Sequence, residues 1–363
     1  MGITRRTDGA EVEVIMSTSD QDRSAGAARR RRFGVVVGVD GSEQSLRAAQ
    51  WAAAEADRRQ LPLTVVTAYA LPAFAASSMD GGYALLDESS LRQGSEKVID
   101  QAKEFLRDYP GEVSYLIESG DAAGVLLDFS RESEVLVVGS RGRGGFFGRL
   151  LGSVSSALPA HAKCPTVVVP LAFSCQEENA VTTSTGAIPI VAPESTPPSE
   201  ASRHEDRRPV VAGVDGSDHG RIAALMAAHQ AVERGTTLRI VCALPPLGAT
   251  LVWIPADVDD GSAAEELQEK LENGRRWLHS HHPDLHIEAE VIDGAAVDVL
   301  VNETRHAQLT VVGCRGRGGF AGMLLGSTSQ GVLHHAEGPL MVVPESRDPR
   351  LEDRAEFGPV VGE

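Results

Sequence analysis

The chain has 363 residues, of which 42% are apolar and only 4% aromatic, and a formal net charge of −17. This length allows two domains, and the charge argues against non-specific binding to nucleic acid or anionic lipid. No stretch reaches the ~18 consecutive apolar residues that a membrane helix needs, and the N-terminus lacks the apolar core of a secretory signal.

In chain order, residues 1–32 are polar and carry a basic run, Arg29 to Arg32, which reads as a disordered arm. Met16 offers an alternative start. From Phe33 onward, β-branched runs alternate with longer helical ones. Strands are expected over 33–39, 63–68, 112–117, 135–139 and 166–170, and helices over 43–59, 88–107, 122–130 and 153–161. This βαβαβ rhythm predicts an α/β fold, a parallel sheet with helices on both faces. Residues 171–208 mix Ser, Thr, Pro and Glu without periodicity and read as a flexible linker. The rhythm then restarts, with strands expected over 210–214, 238–243, 286–292, 309–313 and 340–344. The expected domains are therefore 33–170 and 209–344, two tandem doubly wound sheets of five strands each, followed by a loose polar tail over 345–363. The four cysteines, Cys164, Cys175, Cys242 and Cys314, form no CxxC pair and fit a reduced, cytoplasmic compartment.

One glycine-rich string occurs in both halves, 174 residues apart. Residues 139–156 read GSRGRGGFFGRLLGSVSS and residues 313–330 read GCRGRGGFAGMLLGSTSQ, identical at 13 of 18 positions. Glycine is required where the backbone takes positive φ or lies close to something bulky. Each half also opens with a strand running into Val-Asp-Gly-Ser, at Val39–Ser42 and Val214–Ser217. If the sheet is ordered 3-2-1-4-5, strands 1 and 4 are neighbours whose connections diverge. A ligand then sits beyond their carboxyl ends, and Asp40 meets Gly139 at one mouth while Asp215 meets Gly313 at another.

The spacing is G-x2-G-x9-G-S: Gly139, Gly142, Gly152, Ser153, and again Gly313, Gly316, Gly326, Ser327. Gly139 and Gly313 can let a sugar or base lie on the backbone. Gly142 and Gly316 begin a loop that wraps phosphates. Gly152 with Ser153, and Gly326 with Ser327, open helices whose free N–H groups point at an anion. Hydroxyls of Ser153 and Ser155, matched by Ser327 and Ser329, can donate as well. Asp40 and Asp215 can accept from a ribose hydroxyl or help hold a cation between phosphates. Arg141, Arg143, Arg315 and Arg317 lie in the loops and can neutralise phosphate charge. A purely structural reading stands beside this one: Ser153 and Ser327 as ordinary N-caps, Asp40 as a helix cap, the glycines as turn formers. Its weakness is that all of these features repeat in register. No Walker A string is present, and Gly142, Gly144 and Gly148 follow the fourth strand, where a dinucleotide fingerprint would follow the first.

The Val-Asp-Gly-Ser opening together with G-x2-G-x9-G-S resembles the universal stress protein family, in its nucleotide-binding class, and the chain resembles a tandem member of the actinobacterial kind. The resemblance covers about 33–170 and 209–344. It implies the adenine nucleotide alpha hydrolase-like fold, with sheet order 3-2-1-4-5, and ATP with Mg²⁺ as ligand. It places the phosphates at Gly142, Gly152 and Ser153, and at Gly316, Gly326 and Ser327. Adenine would lie near Thr67 and Ala68, and near Cys242 and Ala243. The residues after the motif serines differ, Val154 and Thr328, a tolerable change if their backbone N–H groups bind. Family members also pair through their fifth strands, which here predicts a pseudo-dimer within one chain, and a homodimer through fifth strands or domain faces.

His279, His281, His282 and His286 offer no fixed ligand geometry, so no metal site is expected. His161, His334 and His335 complement helix dipoles. The expected function is an ATP-binding regulator of stress or dormancy. Slow ATP hydrolysis is one alternative, with no dedicated base or Walker-type lysine in evidence. A dimerisation module with empty sites is the other.

Overall fold

The computed structural model describes residues 32–70, 88–142, 151–171, 206–245, 260–316 and 324–359. The expected arm up to residue 31, the bulk of the expected linker, and the candidate residues Arg143 and Arg317 lie outside these. The first half runs β1 (Val35–Gly38), α1 (Glu43–Arg59), β2 (Leu63–Tyr69), α2 (Glu88–Phe105), β3 (Val113–Ser119), α3 (Ala122–Phe129), β4 (Val135–Gly139), α4 (Ser153–His161) and β5 (Thr166–Val169). The second repeats it: β6 (Val210–Gly213), α5 (Asp218–Arg234), β7 (Leu238–Leu244), α6 (Asp260–His281), β8 (Ile287–Asp293), α7 (Ala296–His306), β9 (Leu309–Gly313), α8 (Ser327–His335) and β10 (Leu340–Val343).

The central strands are unbroken β-branched runs such as Val35, Val36 and Val37, fully buried because helices cover both faces. Each half has the order 3-2-1-4-5, but the two sheets are one. Ten strands run β3-β2-β1-β4-β5-β10-β9-β6-β7-β8, parallel throughout except at the centre. There β5 and β10 pair antiparallel, with Met341 opposite Val167. This is the pseudo-dimer expected from the resemblance. It also corrects the expected homodimer through fifth strands: β5 already lies between β4 and β10, and β10 between β5 and β9, so neither has an edge to offer another chain.

One apolar layer joins α1, α2, α5 and α6 to the sheet, and a second joins α3, α4, α7 and α8; both layers continue across the β5–β10 seam. Helices α1 and α5 meet over the seam through an ion cluster. Glu55, fully buried, takes Arg234 at 2.7 Å and Arg58 at 2.8 Å, while Arg59 reaches Glu233 at 3.1 Å. Burial pushes the Glu233 carboxyl up, but His229 and Arg59 outweigh it and hold the group below its ordinary range.

The tail departs from expectation. Residues 345–359 are ordered along α6, with short 3₁₀ turns at Pro349–Leu351 and Arg354–Phe357. The Trp277 indole donates to Asp353 at 2.9 Å, His281 lies 3.2 Å from the same carboxylate, and Asn273 donates to the Pro359 carbonyl at 2.7 Å. A polar composition suggested looseness, but the anchors sit on the partner helix.

Candidate functional site

Each Asp-Gly-Ser turn is built by its own residues. Asp40 Oδ1 accepts from the Ser42 N–H at 3.0 Å and the Ser42 hydroxyl at 2.6 Å; Asp215 and Ser217 repeat both bonds at the same distances. The middle residues, Gly41 and Gly216, have φ of 76° and 82°, which a side chain would strain. Ser42 and Ser217 then cap α1 and α5, their hydroxyls accepting from Ser45 and Gly220. One carboxylate oxygen of each aspartate is thus tied to its turn. The other faces the glycine loop: a Cβ on Gly142 would lie 2.2 Å from Asp40 Oδ2, and one on Gly316 2.3 Å from Asp215 Oδ2. The aspartate and the second glycine of each motif are therefore in contact, though 102 and 101 residues apart.

A cavity of about 400 Å³ opens at this point in the first half. Asp40, Ala68, Gly139, Arg141, Gly142, Gly152, Ser153, Val154 and Ser155 all line it. A cavity of about 240 Å³ takes the same place in the second half, lined by Asp215, Ala243, Gly313, Arg315, Gly316, Gly326, Ser327, Thr328 and Ser329. Thr67 and Cys242 do not line the cavities: strand alternation turns them to the other face, and Ala68 and Ala243 inward.

The helix starts are those of the anion-binding reading and differ from the structural one, which made Ser153 and Ser327 the caps. Ser153 and Ser327 are the first helical residues, and the caps are Gly152 and Gly326, which carry no side-chain oxygen. The opening N–H groups of α4 and α8 therefore have no side chain folded over them. Ser155 is not the free donor that was expected. Its buried hydroxyl donates to the Ser140 carbonyl at 2.7 Å and accepts from the Gly152 N–H at 3.0 Å, and Ser329 donates to the Gly313 carbonyl at 2.7 Å. These hydroxyls pin the loop to the strand, leaving their backbone N–H groups to face the cavity. Gly139 and Gly313 also have a packing reason to be glycine: a Cβ would strike the backbone of Gln44 at 3.1 Å or of His219 at 2.7 Å.

Sequence reasoning missed the apolar floor. Leu126 and Ala122 of α3, and Leu300 and Ala296 of α7, close the cavities from beneath. Gly38 and Gly213 make room for these leucines, since a Cβ there would lie 2.7 or 2.8 Å from them. The signal was available, because Gly120, Ala122 and Leu126 recur 174 residues on as Gly294, Ala296 and Leu300. The histidine segment holds ordinary contacts, such as His286 with Glu288 at 3.4 Å. Among the described residues, no three His, Cys, Asp or Glu side chains gather to hold a metal, and no helix is long and apolar enough to cross a membrane.

This doubled arrangement agrees with comparison to known proteins. The profile of the Universal stress protein family matches residues 34–170 and 206–344. The chain belongs to the universal stress protein family. A universal stress protein of Mycobacterium tuberculosis is 32% identical over 332 residues, covering 86% of this chain and 97% of its own. Another from that organism is 34% identical over 322 residues, covering 87% and 99%. Among solved structures, a universal stress protein from Archaeoglobus fulgidus superposes with a TM-score of 0.56 at 16% identity, covering 87% of this chain and 97% of that one, a likeness of fold.

Proposed function

We propose that this universal stress protein is an ATP-binding regulator with two nucleotide sites per chain, acting in a stress or dormancy response. One observation carries the reading: an aspartate and an uncapped helix N-terminus line the same cavity, and the arrangement occurs twice. The N–H groups of Ser153, Val154 and Ser155, and of Ser327, Thr328 and Ser329, would take the phosphates, aided by the helix dipole. Arg141 and Arg315, on the cavity wall, would balance phosphate charge. The apolar floor and the backbone at Ala68 and Ala243 would receive the base. Asp40 Oδ2 and Asp215 Oδ2 suit a Mg²⁺ ion, which takes one or two carboxylate oxygens and completes its shell with phosphate and water. Bound there, the ion would screen phosphate charge. The lining groups would bind and orient, and the aspartate, bonded within its own turn, would not serve as a dedicated base. The reading carries with it a cytoplasmic location and, if a homodimer forms, contact through domain faces.

Titration calorimetry with ATP-Mg tests it. Binding at tens of micromolar or tighter is expected, with two equivalents per chain; no heat in that range sinks the idea. Gly142→Val with Gly316→Val pushes a side chain onto each aspartate and should abolish binding, while the thermal melt stays cooperative.

A further inference from the structure

The surroundings of the two cavities differ at one matched set of positions behind the loop. In the second half Arg315 Nη2 donates to Glu345 Oε2 at 2.6 Å. His219 Nε2 lies 3.7 Å from the same oxygen, and the buried Nε of Arg315 has no hydrogen-bond partner. Glu345 stands two residues beyond the end of β10. The corresponding position beyond β5 is Leu171, whose side chain carries no charge and whose carbonyl accepts from Arg47 at 3.1 Å. His219 is matched by Gln44, which donates to the Ser140 hydroxyl, and Ser140 is matched by Cys314. The Glu345 carboxylate thus has no counterpart at the matched position of the first half, where Leu171 stands.

We propose that Glu345 is a positioning residue for the second cavity: by holding and neutralising Arg315, it lowers that cavity's affinity for the polyphosphate end of a nucleotide. The proposal rests on the nucleotide reading above and deepens it. A guanidinium can serve two anions only if its donors reach both, and it serves each less strongly than it would serve one alone. Arg315 lines the cavity, so its charge is available to an incoming phosphate in proportion to what Glu345 leaves. This effect, exerted through Arg315, does not act on the base or ribose, so the restraint discriminates against charge and leaves nucleoside recognition untouched. The two sites of one chain are thereby set independently, by a residue outside the glycine motif.

The test uses the full chain with the first cavity silenced by Gly142→Val, titrated separately with ATP-Mg and with adenosine. Adding Glu345→Gln should tighten ATP about tenfold, as expected for releasing one charge-assisted bond, and leave adenosine unchanged. In an Arg315→Ala background the gain should vanish. Conversely, Leu171→Glu in a chain silenced by Gly316→Val should weaken ATP at the first cavity. An unchanged ratio of ATP to adenosine affinity overturns the proposal alone, as does a gain that survives loss of Arg315. No nucleotide binding by Gly142→Val, with or without Glu345→Gln, overturns the nucleotide reading of that cavity and this proposal with it.

Discussion

At the scale of single residues, the glycine motif separates into positions with different duties. Gly142 and Gly316 are small because an aspartate oxygen occupies the space a Cβ would need. Among the described residues, Gly152 and Gly326 have no such neighbour: the nearest atoms to a Cβ lie at 3.5 Å and 3.4 Å, and both backbones are extended. A Cβ there would make ordinary contacts with these neighbours, so the described packing does not itself demand glycine. A prediction follows from the cap position. Gly152→Asp would place a carboxylate over the opening N–H groups of α4, where a cap and an anion compete for the same donors. The melting temperature should hold or rise while ATP affinity at the first cavity falls, measured by calorimetry with the second cavity silenced. An equal fall in both would instead show that the glycine is there for packing.

At the scale of elements, α1 and α5 are held by charges that no local pattern announces. Glu55 and Arg234 are 179 residues apart and nearly inaccessible to solvent, with 0% and 3% of their side chains exposed. Removing one partner leaves the other buried and uncompensated, which typically costs about 3–5 kcal/mol. Glu55→Ala should therefore lower the denaturant midpoint by that equivalent, whereas Glu43→Ala, on the exposed end of α1, should leave it nearly unchanged. Most elements were legible in sequence: α2 was expected over 88–107 and spans Glu88–Phe105, and β4 and α4 fall on their expected bounds. Periodicity and β-branched runs report burial directly. Asp40 and Gly139 were legible as lining one crevice because topology places them there, whereas the contact of the aspartate with Gly142 was not. What was not legible depends on contacts between distant segments. Ser155 turns inward because the Ser140 carbonyl is there, Glu345 matters because Arg315 is there, and the tail is ordered because Trp277, His281 and Asn273 receive it. None of these residues announces its contact until its partner is known.

At the scale of the whole molecule, the seam makes the two halves dependent on each other. Cutting the chain after residue 171 would uncover the apolar edge of β5 and the buried face of α1. An exposed apolar strand edge recruits another strand. The isolated first half should therefore self-associate, with a sedimentation mass that rises with concentration; a monodisperse folded monomer would contradict the shared core described for the two halves.

The antiparallel meeting of β5 and β10 has one more consequence. Within each half every strand points the same way, so reversing direction at the centre aims the two sets of carboxyl ends at opposite rims of the sheet. The clefts beside β1 and β6 are then separated by four strand spacings, roughly 20 Å sideways, and open in opposite directions. Two occupants could never touch, and a partner resting on one rim would not see the other. Under the nucleotide reading, each rim would present its own site to whatever recognises it.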